Sequence, residues 1–152
     1  MLSMPAPYPP ERPSTSPPNV EPDRRRPHAG PMASPFLEFD LRAEIDRLHA
    51  ESTWSTGRNA RTLVKYETFR VVLTALRSGV RIAEHRTDGR ISIHVVHGHL
   101  RLNAAGRAFD LRSGGLVSLD HSEPHDLEAI EDSAFLLTMA WPGRQDSTHT
   151  QM

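Results

Sequence analysis

The sequence predicts an all-β domain that follows one helix and is flanked by two disordered tails, and three observations carry this prediction. Eleven of the thirteen prolines lie between Pro5 and Pro35, so the chain changes character after residue 35. Residues 40–51 have the spacing of an amphipathic helix. From residue 62 onward, short apolar and β-branched runs are separated by turn residues at even spacing, which is typical of a β-sandwich or a β-barrel.

Residues 1–35 are predicted to form a disordered tail, because proline lacks an amide hydrogen and the segment has little apolar surface to bury. Residues 143–152 are predicted to form a second disordered tail. The three consecutive arginines at 24–26 are interpreted as a solvated patch, since the net charge is −1 and nucleic-acid recognition needs a broader basic face. A translation start at Met32 would remove most of the first tail, and an intact mass that includes residues 1–31 would exclude such a start.

The predicted helix begins after Asp40, whose carboxylate can accept hydrogen bonds from the free amides of the first turn. Leu41, Ile45 and Leu48 form its apolar stripe. The face toward water is predicted to carry Arg42, Glu44, Asp46 and Arg47. Residues 52–59 follow as a turn-rich connector, in which Trp54 is interpreted as a buried anchor.

Nine strand-like runs make up the rest of the domain. Periodicity of two, β-branched residues and flanking glycines or acidic turns define them. The runs are 62–67, 68–76, 80–84, 91–97, 100–103, 108–111, 116–119, 125–130 and 134–141. A domain of residues 36–142 is long enough to bury one small core.

Composition excludes several function classes. The absence of cysteine excludes disulfides, thiolate catalysis and cysteine metal sites. No apolar run approaches the roughly 18 residues that a membrane span needs, and the N-terminus does not resemble a secretory signal. We therefore expect a cytoplasmic protein with no membrane partner and no nucleic-acid partner.

Two spaced motifs suggest a particular barrel. Five residues separate Gly79 from His85, fifteen separate Gly98 from Gly114, and ten separate Gly114 from His125. This spacing resembles the two motifs of the cupin superfamily, and residues 57–63 and 133–138 look typical of small single-domain bacterial cupins. The resemblance implies a cupin domain over residues 36–142, in which one amphipathic helix precedes a double-stranded β-helix barrel of about residues 60–142.

The resemblance also implies where a metal would be held. In cupins the first motif supplies two histidines and a glutamate, and the second motif supplies one histidine. In this sequence only His85 and His125 stand at ligand positions, while Thr87 and Ile91 replace the other two. The remaining metal hypothesis places iron, manganese, nickel or zinc on His85 and His125, with His121 or Glu123 as a helper. The alternative is that the two imidazoles hydrogen-bond an organic ligand or water.

Alternation along the strands predicts the lining of the cavity. Thr87 is expected to share a face with His85, and Ile91, Ile93 and Val95 are expected to share the inward face of their strand. The predicted ligand-binding residues are Thr87, Ile91, Ile93, Val95 and His121. Three other histidines lie close together, and His94, His97 and His99 are interpreted as exposed hairpin residues rather than as a metal site.

These features favour a protein that binds a small molecule inside its barrel. The alternative is a metal-dependent or metal-free enzyme, an isomerase, lyase or oxygenase, in which His85 and His125 are the candidate catalytic residues. General acid–base chemistry by imidazole needs no metal. A third hypothesis is an interaction module, and cupins similar to this one often pair, so we expect a homodimer.

Overall fold

The computed structural model describes residues 35–143, and both predicted tails lie outside the described residues except at their inner ends. It contains one α-helix, one 3₁₀ turn and nine strands. The helix α1 spans Leu41–Ala50, and the 3₁₀ turn spans Ser52–Thr56. The strands are β1 (Arg58–Lys65), β2 (Phe69–Leu76), β3 (Arg81–His85), β4 (Arg90–His97), β5 (His99–Ala104), β6 (Arg107–Arg112), β7 (Leu116–Leu119), β8 (His125–Ala129) and β9 (Ser133–Ala140).

The strands form two antiparallel sheets. The five-stranded sheet has the order β1-β2-β9-β4-β7, and the four-stranded sheet has the order β3-β8-β5-β6. Neighbours within a sheet are mostly distant in sequence, as in a jelly-roll barrel. The all-β barrel with one preceding helix is therefore confirmed, and the first strand begins at Arg58 rather than at residue 62.

The main core lies between the two sheets. It combines Ile91, Ile93 and Val95 of β4 with Leu100 and Leu102 of β5, all nearly inaccessible to solvent. These three β4 residues share the inward face, as alternation predicts, and His94 of the same strand is exposed. Burial of such apolar side chains is the main favourable term in folding.

The helix covers the outer face of the five-stranded sheet. Asp40 caps it, since its Oδ1 accepts hydrogen bonds from the amides of Arg42 at 3.0 Å and Ala43 at 3.3 Å. Ile45 and Leu48 pack against Leu73 of β2 in a second, smaller cluster. No helix within residues 35–143 is long and apolar enough to cross a membrane.

Glu44 does not lie on the wet face of the helix as the sequence predicted. Its side chain is 8% exposed and forms ion pairs with Arg47 and with Arg61 of β1. Arg61 also pairs with Glu51, just after the helix. Asn59 of β1 donates from Nδ2 to the Leu48 carbonyl oxygen at 3.0 Å. The helix is thus bound to β1 by polar contacts as well as by its apolar stripe.

The segment around Gly98 connects the two sheets. Gly98 has φ +90°, and it separates His97 of β4 from His99 of β5. His99 is buried at 7% exposure, and its Nε2 lies 3.1 Å from Asp110 Oδ1. The prediction that His99 is an exposed hairpin residue is therefore wrong, because the chain turns inward between the sheets at this point.

Candidate functional site

A cavity of about 80 Å³ lies between the two sheets. Four polar side chains and five apolar side chains line it, and none of them is acidic. The polar residues are Arg58, Thr74, His85 and His125, and the apolar residues are Ile82, Ile93, Leu127, Phe135 and Leu137. We call this the histidine cavity below.

The two histidines are neighbours on adjacent strands. His85 ends β3, His125 begins β8, and the two residues are directly paired in the ladder. Their ring centroids are 4.3 Å apart, with an angle of 59° between the ring planes. His125 is 4% exposed, whereas His85 is exposed, so the cavity reaches solvent beside His85.

Backbone hydrogen bonds set the tautomer of both rings. His85 Nδ1 lies 2.9 Å from the Ala83 carbonyl oxygen, and His125 Nδ1 lies 2.9 Å from the Glu123 carbonyl oxygen. Because a carbonyl oxygen only accepts, each Nδ1 must carry the proton. Each neutral ring then keeps its lone pair on Nε2, and neither Nε2 has a partner within residues 35–143.

The opposite sheet supplies the other two polar residues. Thr74 lies in β2, is 5% exposed, and has no side-chain hydrogen bond to any described residue. Arg58 begins β1 and pairs with Leu76 in the ladder, while Ala60 pairs with Thr74. Thr74 and the exposed Arg58 therefore lie on neighbouring strands, and both line the cavity.

The charge of the cavity is unbalanced. Arginine is always charged near neutral pH, and no carboxylate within residues 35–143 forms an ion pair with Arg58. Since no lining residue is acidic, the solvent-exposed guanidinium of Arg58 is the charge that this cavity offers to a bound anion.

The residues present do not complete a metal site. Two Nε2 lone pairs of the ligating tautomer are available, but catalytic zinc usually has three protein ligands and non-haem iron usually has two histidines and a carboxylate. Within residues 35–143, no group of three histidine, aspartate or glutamate side chains is placed to hold one ion. Neither His121 nor Glu123 acts as the third donor in this geometry.

The predicted ligand-binding residues do not all line the histidine cavity. Ile93 lines the histidine cavity together with His85 and His125. Ile91 and Val95 pack in the core and do not line it. Thr87 lies beyond the end of β3, where its carbonyl oxygen accepts a hydrogen bond from the Ser122 amide at 2.8 Å.

His121 belongs to a different surface depression, together with Arg90 and Trp141. Its amide and its ring both contact Asp120 Oδ1. The hydrogen bonds from His121, together with the nearby charge of Arg90, lower the pKa of the Asp120 carboxyl. These contacts hold His121 away from the histidine cavity.

The sequence does not predict Arg58 and Thr74 as site residues. The connector predicted for residues 52–59 includes Arg58, but in the structure Arg58 begins β1 and lies on the face opposite Asn59 and Arg61. Thr74 is a single hydroxyl in an otherwise apolar stretch between Leu73 and Ala75, which was an available signal. The meeting of these two residues with the histidines depends on the packing of one sheet on the other.

Comparisons with known proteins establish the fold. No family model matches the sequence, and no curated protein matches it significantly. A conserved protein of unknown function from Streptococcus pyogenes is similar in structure, with a TM-score of 0.54 and 22% identity over 56% of this chain and 75% of that one. A cupin superfamily protein from Desulfitobacterium hafniense has a TM-score of 0.54 and 12% identity over 56% of this chain and 78% of that one.

A larger enzyme contains a similar barrel. The G106A mutant of salicylate 1,2-dioxygenase from Pseudoaminobacter salicylatoxidans matches with a TM-score of 0.61 and 16% identity, over 67% of this chain but 34% of the dioxygenase. These likenesses, with the two-sheet topology, show that the described domain has the fold of the cupin superfamily. One cupin barrel hosts many unrelated activities, so the activity must be argued from the cavity itself.

Proposed function

We propose that this protein binds a small organic molecule in the histidine cavity. The observation that carries the proposal is the convergence of unsatisfied polar groups on one cavity. The Thr74 hydroxyl and both imidazole Nε2 atoms have no hydrogen-bond partner among residues 35–143, and they are open to the solvent that fills the cavity. A ligand would supply these partners, and the apolar walls would cover its carbon atoms.

The size of the cavity restricts the ligand. An engineered cavity of about 150 Å³ holds benzene, and the histidine cavity measures about 80 Å³. We therefore expect a ligand of a few non-hydrogen atoms, with its outer end near the exposed His85.

Ligand-observed NMR with a library of small fragments tests the proposal on the full-length protein. We expect binding that shifts the signals of Thr74, Ile93 and His125 and that is lost in His85→Trp, because the indole would fill the open side of the cavity. His94→Trp is the matched control, since His94 is an exposed histidine on the outward face of β4. Fragments that bind wild type and His85→Trp equally well would rule out this cavity.

The second candidate function is a metal-free enzyme that uses the two imidazoles for proton transfer. The specific observation in its favour is the backbone contact of each Nδ1, which leaves each Nε2 able to accept a proton from a bound molecule. Deuterium incorporation into small carbonyl compounds in D₂O, followed by proton NMR, tests this candidate. Exchange that depends on both His85 and His125 would favour the enzyme over a binding protein.

The metal-dependent alternative has its own measurement. Elemental analysis of protein purified without an affinity tag would detect stoichiometric iron, manganese, nickel or zinc. A metal that is lost in His125→Ala, while His94→Ala retains it, would establish a site at the histidine pair. We expect no stoichiometric metal on these two side chains, because no third donor joins them among residues 35–143.

A further inference from the structure

We infer that the ligand of the histidine cavity is a small hydroxycarboxylate, a molecule with one carboxylate and at least one hydroxyl group. This inference rests on the proposed binding function and adds the chemical class of the ligand. It follows from the charge of the lining residues, from their donors and acceptors, and from the volume that they enclose.

The unpaired, solvent-exposed charge of Arg58 favours an anionic ligand. Arg58 is the one charged lining residue if the two imidazoles are neutral, and no carboxylate within residues 35–143 pairs with it. A guanidinium presents two parallel N–H donors that match the two oxygens of a carboxylate. Arg58 is also exposed, so an incoming anion can reach it from solvent.

In their neutral form the imidazoles favour a ligand group that donates a hydrogen bond. Both Nδ1 protons are committed to backbone carbonyls, so each neutral Nε2 can only accept. A plain carboxylate has no proton to offer these two atoms. A hydroxyl group on the same ligand supplies one, and the Thr74 hydroxyl can either donate or accept beside it.

The volume of the cavity and its apolar lining residues limit the carbon skeleton of the ligand. About 80 Å³ accommodates a short carbon chain, and Ile93, Phe135 and Leu137 of the five-stranded sheet offer apolar contact to it. Lactate has the required carboxylate, hydroxyl and methyl groups. It therefore serves as the probe, and two close analogues of lactate each lack one of the polar groups.

Three probes of nearly equal size test the need for a carboxylate and the need for a hydroxyl group separately. Lactate carries both groups, propionate lacks the hydroxyl, and lactamide lacks the charge. NMR titrations of the full-length protein should give the lowest Kd for lactate. We expect binding to be about tenfold weaker for lactamide and about fivefold weaker for propionate, because charge-assisted hydrogen bonds contribute more than neutral ones.

Arg58→Gln and Arg112→Gln form a matched pair of variants. Each removes one arginine from the end of a strand, but Arg112 lies at the end of β6 and does not line the cavity. Arg58→Gln should weaken lactate and propionate about tenfold and leave lactamide unchanged, whereas Arg112→Gln should change none of the three. Circular dichroism and urea unfolding of each variant verify that it folds.

The outcomes distinguish this inference from the proposed function. Equal binding of lactate and lactamide overturns the anionic class, and equal binding of lactate and propionate overturns the hydroxyl requirement. In both cases binding in the cavity itself stands. Equal weakening by Arg58→Gln and Arg112→Gln overturns the role of Arg58. If no probe and no fragment of the library binds, the inference and the proposed function fail together.

Discussion

At the scale of single residues, the histidine pair is defined by its backbone contacts. A carbonyl oxygen two residues upstream accepts from Nδ1 of each ring. The same backbone contact therefore recurs on β3 and β8 and gives both rings the same tautomer. A hydrogen bond of this kind orients an imidazole that acts through its other nitrogen.

This arrangement predicts the nitrogen-15 spectrum of the two rings. In slightly alkaline buffer, long-range proton–nitrogen correlations should show a protonated Nδ1 and an unprotonated Nε2 for both His85 and His125. His94 is the internal reference, because no hydrogen bond to its ring is formed within residues 35–143. A protonated Nε2 on either member of the pair would contradict the tautomer derived from the structure.

At the scale of elements, the junction between α1 and β1 depends on charged groups. Glu44 is almost fully buried between Arg47 and Arg61, and Arg61 continues to Glu51. Because Arg47 and Arg61 are 62% and 35% exposed, water solvates them when Glu44 is removed, and the loss is that of the charge-assisted hydrogen bonds themselves. The sequence did not reveal this, because the helical pattern places Glu44 beside the apolar stripe without showing that Arg61 reaches it.

Glu44→Ala should reduce the free energy of unfolding by about 1.5–3 kcal/mol, the usual contribution of hydrogen bonds to a charged group. Asp46→Ala is the matched control on the same helix, because Asp46 is exposed and should change stability by less than about 0.5 kcal/mol. Urea unfolding followed by circular dichroism measures both. Equal effects of the two variants would mean that Glu44 does not hold the helix on the sheet.

The same junction gives a pH dependence with a defined sign. The hydrogen bond from Asn59, assisted by Arg61, lowers the pKa of the Glu51 carboxyl from the ordinary value of 4.5. The folded state therefore favours the ionised form, and the stabilisation is complete above the unfolded pKa and is lost as pH falls through the lower folded pKa. Urea unfolding of wild type and Glu51→Gln should show a stability difference that is steady near neutral pH and shrinks below about pH 4.5. A difference that grows on acidification would contradict the contact.

At the scale of the whole molecule, the two sheets are joined through a corner that only glycine fits. Gly98 has φ +90°, and a Cβ there would overlap the Asp132 carbonyl oxygen and the Ser133 hydroxyl and lie 2.8 Å from Ser133 Cα. Gly106 also has a positive φ, +70°, but nothing lies within 4 Å of its added Cβ. An alanine at Gly106 would therefore introduce backbone strain alone, whereas an alanine at Gly98 would introduce strain and steric overlap.

Gly106→Ala should cost about 1–2 kcal/mol, the price of a left-handed conformation for a residue with a side chain. Gly98→Ala should cost at least about 2 kcal/mol more, because overpacking adds to that strain. Chemical unfolding of both variants gives the comparison. If the two variants lost similar amounts of unfolding free energy, the chain between β4 and β5 would be shown to adjust to the extra Cβ without a steric penalty.

The fold was more accessible from the sequence than the site was. Period-two alternation and turn residues are local, and they predicted nine strands whose ends in the structure differ mostly by one or two residues. The pairing of His85 with His125 followed from a family resemblance. The contributions of Arg58 and Thr74 come from the opposite sheet, and no local pattern states which face of one sheet meets which residue of another. The homodimer stays a prediction, which sedimentation analysis would test.

The alternation of side chains along β1 links the attachment of the helix to the lining of the cavity. Its outward residues, Asn59 and Arg61, hold the helix, and its inward residue, Arg58, lines the cavity. Because successive side chains point to opposite faces, inserting one residue between Arg58 and Asn59 would change which side chains face the cavity and which face the helix. The contacts of the helix and the lining of the cavity are therefore coupled through the register of β1 between Arg58 and Arg61.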